Sequence, residues 1–170
     1  SDKESYPGLN IIRLIDPEEM VKLNSKKVEL TSVPQGMEDA LKWFFCAAAV
    51  MRMQKKKRPI SMLIHTSPRV KVHMTEYRLV FDWLRSVSAD KFISDCRDIY
   101  VKEIQQFTKD DLVKAYSDYD FKDSIPDKLP AFDDISEDIR NLLAHVTHIS
   151  LDDDQDFEYV ENGVHLCVDN

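Results

Sequence analysis

A helix-rich α/β domain with a small, mainly parallel sheet is the fold this sequence predicts, and three observations predict it. Residues 58–83 carry a short apolar run, a turn signal and then a long helical pattern, which is half of a β-α unit. Apolar residues recur at three- and four-residue steps through most of residues 37–143, so helix outweighs strand. Strand-like patterning returns only in the last section, residues 144–168. With 170 residues, 43% hydrophobic and 32% charged, the chain can bury one real core but not two comfortable ones. A single domain over residues 1–170 is expected, with residues 88–143 as a helical insertion between strands.

Residues 9–14 (L-N-I-I-R-L) suit a short strand or an extended arm. Asp16-Pro17-Glu18-Glu19 is a helix start, with a capping Asp, Pro at the first helical position and two carboxylates in the first turn. That helix is expected to end near Lys26, with residues 28–31 extended and residues 33–36 forming a turn. From Met37, the residues Ala40, Leu41, Phe44, Phe45, Ala48 and Met51 make a wide apolar face that continues to about Gln54.

Ile60, Met62, Leu63 and Ile64 suit a buried strand. Ser67 then caps a helix with Pro68 at its first position, and Val70, Met74, Tyr77, Phe81, Leu84 and Val87 form its apolar face. A restart at residues 88–90 leads into Phe92, Ile93, Cys96, Ile99, Tyr100, Ile104 and Phe107. Thr108 with Asp111 fits a capping box that opens a short helix through about Tyr116. A Pro-punctuated loop covers residues 124–132, and the last helix spans residues 135–143, capped by Asp133 or Asp134. Residues 144–149 suit a strand, and residues 157–160 and 164–168 flank Glu161-Asn162-Gly163, a hairpin signal.

Several function classes fall away on composition. The longest apolar run, residues 43–51, is nine residues, against the roughly 20 that cross a bilayer. No membrane partner is expected, and residues 1–4 lack the features of a secretory signal. Cys46, Cys96 and Cys167 are odd in number and widely spaced, which suits a reducing cytoplasm and gives no metal spacing. Gly8, Gly36 and Gly163 are too scattered to cradle a nucleotide phosphate. The missing initiator Met suggests a piece of a longer protein.

The net charge of −8 is unevenly spread. Residues 51–75 hold Arg52, Lys55, Lys56, Lys57, Arg58, Arg69 and Lys71 with no acid, whereas residues 109–170 hold 17 Asp and Glu against five Lys and Arg. The basic stretch surrounds the strand-turn-helix, where a helix N-terminus can hold an anion. Thr66, Ser67, Arg69, Lys71, Lys56 and Arg58 are the candidate phosphate contacts, and His65 is a further candidate at the strand end.

Each of these has a plainer reading. Ser67 can be an ordinary N-cap, His65 a hydrogen-bonded core histidine, and residues 55–58 a solvated loop without the aromatics that stack on bases. Asp152, Asp153, Asp154, Asp156 and Glu158 crowd a turn with no basic residue near, which suits a solvated loop better than a metal-dependent nuclease site. His145 and His148 fall on opposite faces of a strand, and His165 and Cys167 share one face without further ligands, so no metal site is expected.

The combination I-I-R-L-I-D-P-E-E-M-V-K-L, M-E-D-A-L-K-W-F-F-C-A-A-A-V-M-R-M and S-M-L-I-H-T-S-P-R resembles the Z1 domain, a family named for an endonuclease and similar to the second motor lobe of superfamily 2 helicases. The resemblance covers most of residues 11–83 and is most specific at residues 61–67. It implies part of a RecA-like lobe from a larger bacterial ATP-dependent DNA-processing protein linked to defence against foreign DNA. In that reading residues 62–65 are the motif strand, and His65, Thr66, Ser67 and Arg69 are the matching turn positions. Pro68 stands where an aromatic or basic residue is expected, which shifts the first basic side chain to Arg69.

The resemblance implies no catalytic residue and no cofactor in this stretch. ATP and Mg2+ would belong to the parent protein, and DNA and the remaining lobes would be the partners. The alternative is a protein-interaction module that docks a partner or another lobe through the acidic helices of residues 108–143.

Overall fold

A computed structural model describes residues 12–24, 30–54, 60–64, 70–106, 108–118, 126–146, 148–151 and 164–168. Among them are six helices and three strands: α1 (Pro17–Asn24), α2 (Gln35–Met53), β1 (Ile60–Ile64), α3 (Val70–Ser86), α4 (Ala89–Glu103), α5 (Lys109–Ala115), α6 (Phe132–Ala144), β2 (His148–Leu151) and β3 (Val164–Val168). The helix-rich α/β class is therefore as the sequence predicts.

The three strands form one parallel sheet in the order β1-β3-β2. β3 has a neighbour on each edge, so it has no edge left for the antiparallel hairpin expected at residues 157–168. Residues 157–160 themselves lie outside the described residues. β1 has the predicted bounds, but only Ile60 and Ile64 are buried while Ser61 and Leu63 are exposed. It is a half-buried strand at the rim of the described sheet, not a strand covered on both faces.

Three long helices pack together beside this sheet. α2 lies against both α4 and α6, which also touch each other, while α3 packs on β2 and β3. The fully buried side chains Leu41, Phe45, Phe92, Tyr100, Ile135 and Ile139 fill the helical part, and Ile60, Ile64, Val164 and Leu166 carry the same apolar cluster onto the sheet. The Phe45 ring meets Phe92 edge-on at 5.3 Å, and Trp83 tilts against Phe92 at 5.8 Å, so aromatic contact links α2, α4 and α3. Tyr100 sits in this core with its hydroxyl donating to the Pro130 carbonyl at 2.8 Å, and burial pushes its pKa up. Tyr100→Phe is expected to lower stability by about 1 kcal/mol, measured by urea unfolding, because the Pro130 carbonyl loses its donor.

Helix ends follow the local chemistry. Asp16 accepts from the Glu18 N–H at 2.8 Å and Pro17 opens α1, as the sequence indicates. Of the turn expected at residues 33–36, Gln35 and Gly36 are instead the first residues of α2: Pro34 is its N-cap, and the Glu19 carboxylate from α1 takes the N–H groups of Gln35 and Gly36. Thr108 and Asp111 form the predicted capping box on α5, and the hydrogen bonds from Thr108 hold the Asp111 carboxyl below its usual range.

α6 starts three residues earlier than expected, at Phe132, whose ring lies 5.9 Å from Tyr100. Asp134 does not stand at the cap position; it reaches back to the Ala131 N–H at 3.0 Å. α6 also runs through Ala144, so the strand expected at residues 144–149 begins only at His148. His145 closes the helix, its Nδ1 2.9 Å from the Asn141 carbonyl.

On α3 the buried stripe is Glu76, Val80 and Leu84; the expected Met74 is exposed, and Tyr77 and Phe81 are half-buried and stacked at 5.9 Å. Residues 12–14, expected to be extended or in a strand, carry no strand.

Candidate nucleic-acid interface

The register of the sheet builds the frame of the candidate interface. Ile64 pairs with Val168 and Leu151 pairs with Val168, so the C-terminal ends of all three strands are level along one edge. The connection from β1 to α3 leaves from that edge, and α3 then returns across β3 and β2. In open parallel sheets this edge is where loops and helix N-termini converge on ligands.

His65, Thr66, Ser67 and Arg69 belong to this connection and lie outside the described residues, as do Lys56 and Arg58 in the link that enters β1. Lys71 lies in the first turn of α3, where only its backbone is described. The described sequence order thus brings the candidate residues to the two ends of one strand and the start of one helix: Lys56 and Arg58 precede β1, and the other five follow it.

Among the described residues three polar side chains are buried, and two of them, Lys42 and Glu76, escaped the sequence reading. Lys42, 4% exposed, extends its Nζ to Glu38 and Asp95, each at 3.1 Å, and lies 5.7 Å from the Trp83 ring. Burial alone would lower the Lys42 pKa, but its hydrogen bonds to Asp95 and Glu38 outweigh that and raise it. Burial would likewise raise Asp95, yet its bonds to Lys91 and Lys42 hold it below the usual carboxylate range. Both groups therefore stay charged at neutral pH, and the cluster ties α2 to α4 beneath the end of α3. The four-residue step from Glu38 to Lys42 was the sequence signal available for it.

Glu76 and His165 are the other two, buried on α3 and β3. Register puts His165 in one row with Ser61 and His148 across the sheet, so it shares that row with a second histidine position. His145 is not in the sheet at all, so the pair weighed with His148 is split between a helix end and a strand.

Cys46 and Cys96 are buried where α2 crosses α4, each thiol pointing at a backbone carbonyl of the other helix, 3.6 Å for Cys46 to Cys96 and 3.7 Å for Cys96 to Lys42. Cys96 is fully buried, and contact with Cys46 and burial push its thiol up, as suits a packing group. Among the described residues no three His, Cys, Asp or Glu side chains are grouped to hold a metal ion, and no helix is long and apolar enough to cross a membrane.

Comparison with curated proteins and with solved structures gives no match. Comparison with protein families does: residues 36–168, from the first turn of α2 to the end of β3, match the Z1 domain, and the chain belongs to that family.

Proposed function

We propose that this Z1 domain supplies a nucleic-acid backbone contact to a larger DNA-processing protein, through the strand-turn-helix of residues 60–71. The observation that carries the reading is the level C-terminal edge of the parallel sheet, from which the basic connection departs. Five candidate residues with hydroxyl, imidazole or cationic side chains follow β1 in the sequence, between its end and the first turn of α3. Hydroxyls and main-chain N–H groups bind phosphate without reading bases, and Arg69, Lys71, Lys56 and Arg58 add the counterion-displacing charge. The domain does no chemistry alone in this reading. On this reading ATP and Mg2+, and any cleavage of DNA, would belong to other parts of a cytoplasmic parent protein.

Fluorescence anisotropy with labelled single- and double-stranded DNA at two salt concentrations tests this. The expected result is binding that weakens with salt, with Lys56→Ala/Arg69→Ala losing about tenfold in affinity and lowering the salt slope by about 2. An unchanged slope in the double variant would remove these two residues from the interface and end the proposal.

A second reading has its own observation. On the α4–α6 surface Arg97, Lys109 and Arg140 are each engaged by an aspartate, Asp133, Asp127 and Asp90 respectively. Asp98, Asp110, Asp118 and Glu137 are exposed on the same helices and turns, alongside Lys102, Lys114 and Lys128, a surface that could meet a basic surface of another lobe or partner. The exposed apolar side chains there, Val101, Tyr116 and Leu129, come from separate elements. Absence of DNA binding at low salt, together with capture of a separately made parent lobe that is lost when Asp98 and Glu137 become lysine, would favour this reading over the first.

A further inference from the structure

Residues 12–24 precede the span 36–168 that matches the family, yet among the described residues Arg13 and Glu19 fasten them to it. The Arg13 guanidinium pairs with the Glu103 carboxylate at the end of α4. Glu19, in α1, places one carboxylate oxygen 2.8 Å from the Gln35 N–H and the other 3.1 Å from the Gly36 N–H. A carboxylate across the first N–H groups of a long helix satisfies donors that have no partner within the helix and sits at the positive end of its dipole.

Gly36 leaves room for this approach. A Cβ built there would lie 3.0 Å from the Glu19 Oε2 and 3.6 Å from the Ile15 Cγ2. Glycine at this helical position is otherwise a poorer choice than alanine, so the space it leaves for Glu19 and Ile15 is its physical justification.

Both fastenings are polar, and the described apolar side chains of the segment are exposed, Ile12 77%, Leu14 93%, Val21 70% and Ile15 39%. Burial of these four side chains therefore adds little to the two clips. At eight residues α1 is also too short to persist in water by itself, even with Asp16 capping it, so its helical state reports its attachment.

We propose that residues 12–24 form a releasable strap, clipped over the start of α2 by Glu19 and onto the end of α4 by Arg13. Ionic strength, which weakens both clips, sets it free while the helical core and the sheet stay folded. Hydrogen exchange read by mass spectrometry on the whole chain tests this, at about 0.01 M and about 1 M salt, between which the Debye length falls from about 30 Å to about 3 Å.

High salt should speed exchange of the α1 amides and leave those of α4, α6 and α2 beyond its first turn unchanged. Glu19→Ala should speed α1 exchange about fivefold at low salt, the effect of losing one cap. Gly36→Ala should speed it by less, because the flexible Glu19 carboxylate has to give by only a few tenths of an ångström. Combined with Glu19→Ala it should add nothing further to the release, because both changes act on one contact. Salt-independent α1 exchange, or α1 exchange unaltered by Glu19→Ala, would overturn the strap. So would exchange in α6 that quickens in step with α1, since residues 12–24 would then be an inseparable part of the core.

Discussion

Phe45→Ala is expected to lower the free energy of unfolding by about 3–5 kcal/mol, the range for deleting a large buried aromatic. Phe45 is fully buried on the side of α2 that faces α4, with its ring edge-on to Phe92 at 5.3 Å and to its neighbour Phe44 at 6.0 Å. Two terms add: the lost transfer of the ring out of water, and the cavity that its neighbours fill only in part. Collapse is restricted here, because Phe92 also leans on Trp83 and α4 is held to α6. A loss confined to the midpoint of urea unfolding, with an unchanged slope, is the expected signature. Phe45→Leu, which keeps most of the apolar volume, should cost less than half as much. Equal losses for the two variants would show that ring geometry, and not filled volume, holds α2 on α4.

The parts of the fold that were legible are those decided within a few residues. Asp16-Pro17 and Thr108 with Asp111 work as caps because both partners lie within one helical turn, and β1 is bounded as read because its apolar run is short and punctuated. What the sequence did not disclose depends on residues far apart along the chain. The Gln35 and Gly36 N–H groups at the start of α2 are met by a carboxylate from α1, and nothing near residue 35 announces that partner. Strand order was hidden for the same reason: residues 161–163 signal a hairpin, but β3 takes β1 and β2 as parallel neighbours instead. Apolar spacing also placed the α3 stripe one step off, since a helix admits a polar residue such as Glu76 to its buried face when the surroundings accommodate it. For the candidate interface, the charge pattern was readable in residues 51–75, whereas the level edge that gathers the strand ends follows only from the register.

Lys42 provides the second large expected effect, through its partner. Asp95→Ala is expected to cost about 2 kcal/mol at neutral pH, because it leaves a nearly buried ammonium with Glu38 as its remaining carboxylate. Asp95 and Glu38 are 28% and 24% exposed, so water softens the penalty below that of a fully interior pair.

The pH dependence has a definite sign. The Asp95 pKa is held below its ordinary value of 3.8, so its share of stability is present above that pH and is lost as the pH falls through the lower folded value. The Lys42 pKa is raised above 10.5, so its share is present below that pH and is lost as the pH rises through the higher folded value. Asp95→Ala should therefore flatten the acid limb of a stability profile below pH 3.8 relative to the unaltered chain.

Lys42→Met separates charge from packing. It keeps an unbranched stem under Trp83 and removes the ion that had to leave water, so its cost should fall well short of that of Asp95→Ala. If the two substitutions cost the same, the ion pair itself would be what joins α2 to α4. If Lys42→Met is nearly neutral, the apolar stem carries the junction, and the two carboxylates serve to keep a buried charge tolerable.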